Sequence, residues 1–265
     1  MTSLRQYLRI WLASARYSMV RTMMFRFDFL MWSLVELFWM SVNVLLVQVI
    51  YKHTHEVAGW TEYQMLLLVG TSMLIQRLLM GFFWTNLFEL GRNIRTGQLD
   101  FFIAQPGEPL FMVSTRKIDL DGLANVIPAL AVIFYAMHRL GLHPGILGVG
   151  EYFLCVLCGL MINYGALLAI VSLTFWISSS QGVEGSYFTF FEFARLPREA
   201  FRGVYSMLFV YILPVVIVSN VPARALLGGL DWLHALWLFG SSVLWFSLSV
   251  FVFHRGLSRY TSASS

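Results

Sequence analysis

Charge is scarce in this chain. Asp, Glu, Lys and Arg make up 12% of 265 residues, against 58% hydrophobic residues. A soluble domain of that length cannot cover itself with so few polar groups. Lysine is nearly missing: Lys52 and Lys117 stand alone, and neither follows a Gly-rich loop. No Walker A phosphate cradle exists, so the chain does not itself bind ATP through one. Cysteine is limited to Cys155 and Cys158. They sit inside an apolar run, where the polar, accessible turn that redox or metal chemistry requires is missing. No HExxH, GxSxG or Cys/His cluster occurs; His53 and His55 read as solvated loop residues. No catalytic residue, metal site or enzymatic activity is expected. No internal repeat is visible. No cleavable signal peptide is expected, because the first apolar block follows an Arg-bearing segment and no small-residue cleavage site follows it.

What the chain does have is apolar blocks long enough to cross a bilayer, with aromatics at 16% of residues, a level that suits lipid contact and interfacial belts. The expected fold class is all-α, a polytopic membrane protein. Spans are expected at about 29–50, 63–84, 120–137 (with Pro128 inside), 152–177, 204–219 (with Pro214) and 232–253, forming one transmembrane domain over 27–265. Before them, residues 1–26 place Leu4, Tyr7, Leu8, Trp11 and Leu12 at helical spacing among Arg5, Arg9, Arg16, Arg21 and Arg26. That pattern predicts an amphipathic interfacial helix on an anionic leaflet, with Trp11 sunk into it. Residues 183–202 carry Glu184, Glu192, Arg195, Arg198 and Glu199, too many charges for an ordinary span. An interfacial helix broken near Pro197 is expected there, and a loop or re-entry over 220–230.

Six spans place both termini on one side. On that side would fall Arg5, Arg9, Arg16, Arg21, Arg26, Arg92, Arg95, Arg116, Lys117, Arg195, Arg198, Arg202, Arg255 and Arg259. Lys52, Arg139 and Arg224 would fall on the other. By the positive-inside rule the first face is cytoplasmic. The net charge of +4 follows from this orientation, and no nucleic-acid partner is expected.

Two charges are expected inside spans. Glu36 and Arg77 each lie about two turns from the basic face, a depth of ~10–12 Å at the helical rise. An unpaired charge at that depth costs at least ~2.5 kcal/mol, so an intramembrane Glu36–Arg77 pair is expected. Snorkelling of Arg77 and an interior water contact for Glu36 are the alternatives. Asn43, Asn125, Asn163 and Tyr164 are further polar residues in spans, suited either to a path or to bonds between helices.

The connection after the second span, 85–119, keeps Leu87, Phe88, Leu90, Ile94 and Leu99 among its polar residues, which a plain tether does not need. An amphipathic element ending at Gly97 suggests docking on a partner or on the bilayer. Its order of Glu89, Ile94, Gly97, Leu99, Asp100 and Pro106 resembles the permease subunits of ABC-2-type transporters. So do Arg195-Leu-Pro197, Ile212-Leu-Pro214, Val221-Pro-Ala223 with Leu226-Leu-Gly228, and the tail from Gly256 through Tyr260. Leu196 stands where the family usually has Tyr.

The resemblance implies an exporter half in a bacterial plasma (inner) membrane, driven by ATP that a separate cytoplasmic ABC ATPase subunit hydrolyses. ATP and Mg would sit on that partner, with no cofactor on this chain. A second permease, identical or related, would complete the pair. Glu89, Arg92, Ile94, Gly97, Leu99 and Asp100 would form the ATPase-coupling element, with Ile94 and Leu99 entering the partner's cleft. A stand-alone channel or secondary transporter, or a non-transporting membrane scaffold, are the other readings. Channels and secondary transporters are expected to show repeats or ionisable residues near the midplane.

Overall fold

The computed structural model describes residues 4–177 and 183–260. The serine-rich end expected for the fourth span, Ser178 to Gly182, and the tail beyond Tyr260 lie outside the described residues. Helix α1 (Leu4–Met24) precedes α2 (Arg26–Tyr51). The long α3 (Glu62–Arg95) follows, then short α4 (Leu99–Ile103) and α5 (Pro109–Thr115). Next come α6 (Leu120–Leu140), α7 (Ile146–Phe175) and α8 (Val183–Glu192). The chain closes with α9 (Val204–Ile212), α10 (Ile217–Leu226) and α11 (Trp232–Leu257). No strand occurs among the described residues, beyond one isolated bridge between Val57 and Trp60. The protein is an all-α polytopic membrane protein.

Local chemistry sets the helix ends. The Gln64 side chain accepts the Thr61 N–H at 3.0 Å to open α3, half of a capping box. Pro109 lies in the first turn of α5, where its missing N–H is harmless. Pro128 is tolerated for the same reason. α6 breaks at Asn125, whose Nδ2 donates to the Asp121 carbonyl at 2.9 Å, and Pro128 falls in the first turn after that break. The Asp231 carboxylate caps α11, accepting the Leu233 N–H at 3.1 Å.

Among the described residues, five helices are long and apolar enough to cross a membrane: α2, α3, α6, α7 and α11. A span expected over 204–219 is not one of them. α9 and α10 meet at an angle of 79° around Pro214. Both outer ends of this pair lie on the face that carries the 52–61 loop. α9 starts five residues after Glu199, and the Glu199 carboxylate accepts Trp60 Nε1 at 2.8 Å. The last turn of α10 holds Arg224, bonded to the same carboxylate at 2.6 Å. The pair is therefore a re-entrant hairpin. Its tip carries Val215 into the cluster with Leu167, Leu168 and Phe253. Residues 220–226, expected as a loop or re-entry, are the helical return limb of this hairpin, with Pro222 inside it.

The fifth crossing is instead made by α8 and the two turns that follow. Tyr187 on α8 donates to Asn163 Oδ1 of α7 at 2.8 Å. Arg195 donates to Asn43 Oδ1 of α2 at 2.8 Å and to Gln76 Oε1 of α3 at 3.0 Å. Arg198 then reaches Asp231 at the start of α11 at 3.5 Å. An interfacial helix at 183–202 is thus corrected to a crossing. Its charges are tolerable because Glu192 pairs with Arg195 at 2.7 Å within the crossing, while Arg198 and Glu199 pair at the opposite face. Arg195, Arg198 and Arg202 accordingly leave the basic face. The arginine bias rests on α1, on Arg92, Arg95 and Arg116, and on the end of α11.

Between helices in lipid, apolar burial gives little net drive, because acyl chains are as apolar as leucine. Close packing and interhelical hydrogen bonds hold such a bundle, at about 0.6 to 1.7 kcal/mol per bond. Tyr187–Asn163 and the 2.8 Å bond between Ser114 and Tyr164 serve this purpose. So does Arg195 on Asn43, which makes Asn43 and Asn163 bonding partners between helices. Cys155 and Cys158 are both free thiols, the first buried in an apolar cluster.

Candidate functional site

The connection that follows α3 is built rigidly onto the basic face. α3 widens into a π-helical turn at Met80–Trp84, a distortion often found at functional sites. Within this turn the Gly81 carbonyl accepts the Asp119 N–H at 2.8 Å. A Cβ on Gly122 would lie 3.0 Å from Gly81 N, so the two backbones touch only because glycine stands at both places. Asn86 clasps Lys117 from both sides: its Nδ2 donates to the Lys117 carbonyl and its Oδ1 accepts the Lys117 N–H, each at 2.7 Å. Thr85 donates to Asp119 Oδ2 at 3.1 Å. Lys117 Nζ then bridges both oxygens of Glu89 at 2.5 and 2.6 Å.

Against this frame the expected coupling residues divide. Glu89 is committed inward, to Lys117 and to Arg92 at 3.1 Å. Arg92 is exposed and Ile94 half-buried against the core. Gly97 ends α3 with φ +71°, a left-handed conformation that a Cβ disfavours. Asp100 faces Tyr260; burial first, and then this carboxylate, push the Tyr260 hydroxyl up. Leu99 is 0% exposed and packs in the chain's own core with Leu87 and Leu90. It therefore cannot enter a partner's cleft, and its burial instead pins α4 in place.

The outward apolar side chains are Phe101, 60% exposed, and Ile103. Arg116 lies over the rings of Phe101 and Phe102, 5.2 Å from each centroid. Beside them a cavity of about 450 Å³ is lined by Glu89, Arg92, Gln98, Phe101, Arg116 and Lys117. Sequence reasoning passed over Phe101 and Ile103. The signal was the run Leu99-Asp-Phe-Phe-Ile103, an amphipathic turn too short to show periodicity.

α1 braces the same region from below. Tyr7 Oη accepts the Glu108 N–H at 2.9 Å, and Ser18 Oγ accepts the Ile118 N–H at 3.0 Å. Trp11 lies on the half-buried stripe with Tyr7 and Ser18, while Leu8, Leu12, Met19 and Met23 form the exposed apolar stripe.

Inside the spans, Arg77 Nη1 contacts the Glu36 carboxylate directly and also lies 3.6 Å from Met80 Sδ. Arg77 is buried and Glu36 about a quarter exposed, so one wall of the pair opens toward a cavity.

A family model described as ABC-2 family transporter protein matches residues 37–264. The chain belongs to the ABC-2 transporter family. No curated protein and no solved structure matches it. ABC-2 membrane subunits are typically non-catalytic and work with a partner ATPase. The matched region of this ABC-2 chain holds the whole 89–100 connection, Arg77 and the re-entrant hairpin. It begins one residue after Glu36 and leaves out α1.

Proposed function

We propose that this permease subunit exports its substrate with ATP hydrolysed by a separate cytoplasmic ATPase, in a bacterial inner membrane with both termini cytoplasmic. A second permease, identical or related, completes the assembly. The observation that carries this reading is the braced connection between α3 and α6. Its exposed Phe101 and Ile103 stand beside Arg92 and Arg116, on a frame tied to α3 by Asn86, Lys117 and Glu89. Such a unit transmits displacement because both ends are packed: a partner pushing on α4 moves α3 rather than a slack loop. Apolar anchors ringed by charge suit a protein cleft, with burial supplying affinity and the arginines fixing the approach. Ile94, Gly97 and Asp100 serve here as supports for the contact surface, and Arg92 as part of it.

The test is copurification of the ATPase with the permease. Phe101→Asp leaves insertion and folding intact, yet abolishes ATPase retention and transport-linked ATP hydrolysis. Normal retention and normal export by Phe101→Asp would place the contact elsewhere on the basic face.

A further inference from the structure

We propose that the cavity enclosed by α1, α2, α3 and the 117–122 turn binds the headgroup of a zwitterionic, primary-amine phospholipid. The cavity measures about 490 Å³, within the ~300–1,000 Å³ typical of small-ligand sites. It opens beside the kink between α1 and α2. Its rim carries Phe25, 58% exposed, and Trp32, 60% exposed, on the lipid-facing surface.

Charges of both signs line its interior. Arg21 and Arg77 stand on the walls from α1 and α3, and Asp28, Asp119 and Asp121 on the others. Arg77 is 5% exposed. Glu36 engages its Nη1, while its Nε is buried without a partner. Arg77 nevertheless lines the cavity wall, so its guanidinium charge is placed to meet an anionic oxygen entering there. A phosphate supplies that oxygen, with Arg21 nearer the mouth as a second cation. A primary ammonium on the same headgroup donates to the Asp119 and Asp121 carboxylates.

The mixed lining is selective. A purely anionic headgroup meets Glu36, Asp28, Asp119 and Asp121, and a purely cationic one meets Arg21, Arg77 and Lys117. A quaternary ammonium has no N–H to give the aspartates. The aromatic rim at the lipid surface accounts for acyl chains outside the cavity. The site is independent of any coupling to ATP hydrolysis.

The experiment is native mass spectrometry of the full chain. Phosphatidylethanolamine, phosphatidylcholine and phosphatidylglycerol with identical acyl chains are offered in turn, and soluble glycerophosphoethanolamine serves as competitor. The ethanolamine lipid is expected to be retained about tenfold better than the other two, the effect of one charge-assisted contact. Asp121→Asn and Arg21→Ala each remove that preference. Should Asp121→Asn fail to assemble, Arg21→Ala, on the exposed surface of α1, decides alone. Equal retention of the three lipids, or an unchanged preference in Arg21→Ala, overturns the proposal. Displacement by equimolar soluble headgroup also overturns it, because the acyl chains would then contribute nothing.

Discussion

Trp60 Nε1 donates to Glu199 Oε2 at 2.8 Å, joining two residues 139 positions apart in the chain. Trp60 precedes α3 on the face away from α1, so Glu199 must lie on that face too. The bond therefore decides where the fifth crossing ends. A cysteine in place of Arg202 is expected to label from the same side as cysteines at Thr54, His143 and Gly229. A cysteine at Gly97 labels only from the opposite side. Labelling Arg202→Cys together with Gly97→Cys would return residues 183–202 to the interface. Ser262, expected on the Gly97 side, lies outside the described residues.

The contact between Glu36 and Arg77 predicts non-additivity. Glu36→Gln alone leaves the Arg77 guanidinium buried without its counter-charge, and breaking a buried pair typically costs about 3–5 kcal/mol. With Glu36 a quarter exposed, the lower end of that range is expected. Removing both charges is milder than removing Arg77's partner alone. A double-mutant cycle on thermal unfolding in detergent measures the coupling, and strict additivity would show that the two groups do not depend on each other.

Arg195 ties three helices at once, through Asn43, Gln76 and Glu192. Arg195→Ala is expected to destabilise by about 3 kcal/mol, since bonds to a charged group contribute ~1.5–3 kcal/mol each and their partners are left unmatched. Asn43→Ala, which removes a single acceptor, should have a smaller effect. Comparable losses from both changes would indicate that Gln76 and Glu192 add nothing.

Lys117 offers a separate test of rigidity. Its ammonium holds Glu89 from below, and both side chains are about a quarter exposed, so the pair contributes no more than ~1 kcal/mol to global stability. Lys117→Met should leave the melting temperature nearly unchanged yet raise hydrogen exchange over residues 89–103. Unchanged exchange there would mean that the Asn86 clasp alone braces the connection.

Much of the architecture was legible in the residues. Apolar blocks marked α2, α3, α6, α7 and α11, because a helix in lipid must be apolar over about 20 residues whatever its neighbours. Glu36 and Arg77 stood out because isolated charges in such blocks demand partners. The fifth crossing did not stand out. Its charges are satisfied by Asn43, Gln76, Asp231 and Trp60, residues far away in the chain, and no local pattern announces such partners.

The same division holds at the candidate coupling surface. Leu99 and Phe101 are both apolar, two positions apart in one short run, and composition treats them alike. Class, family and the approximate placement of the long helices followed from the sequence by itself, because hydropathy is a property of each segment alone. Which face of α4 turns outward, and that residues 204–226 dip and return rather than cross, only the tertiary structure decided. Those outcomes depend on contacts such as Asn86 with Lys117 and Arg224 with Glu199, which exist only when distant segments are folded together.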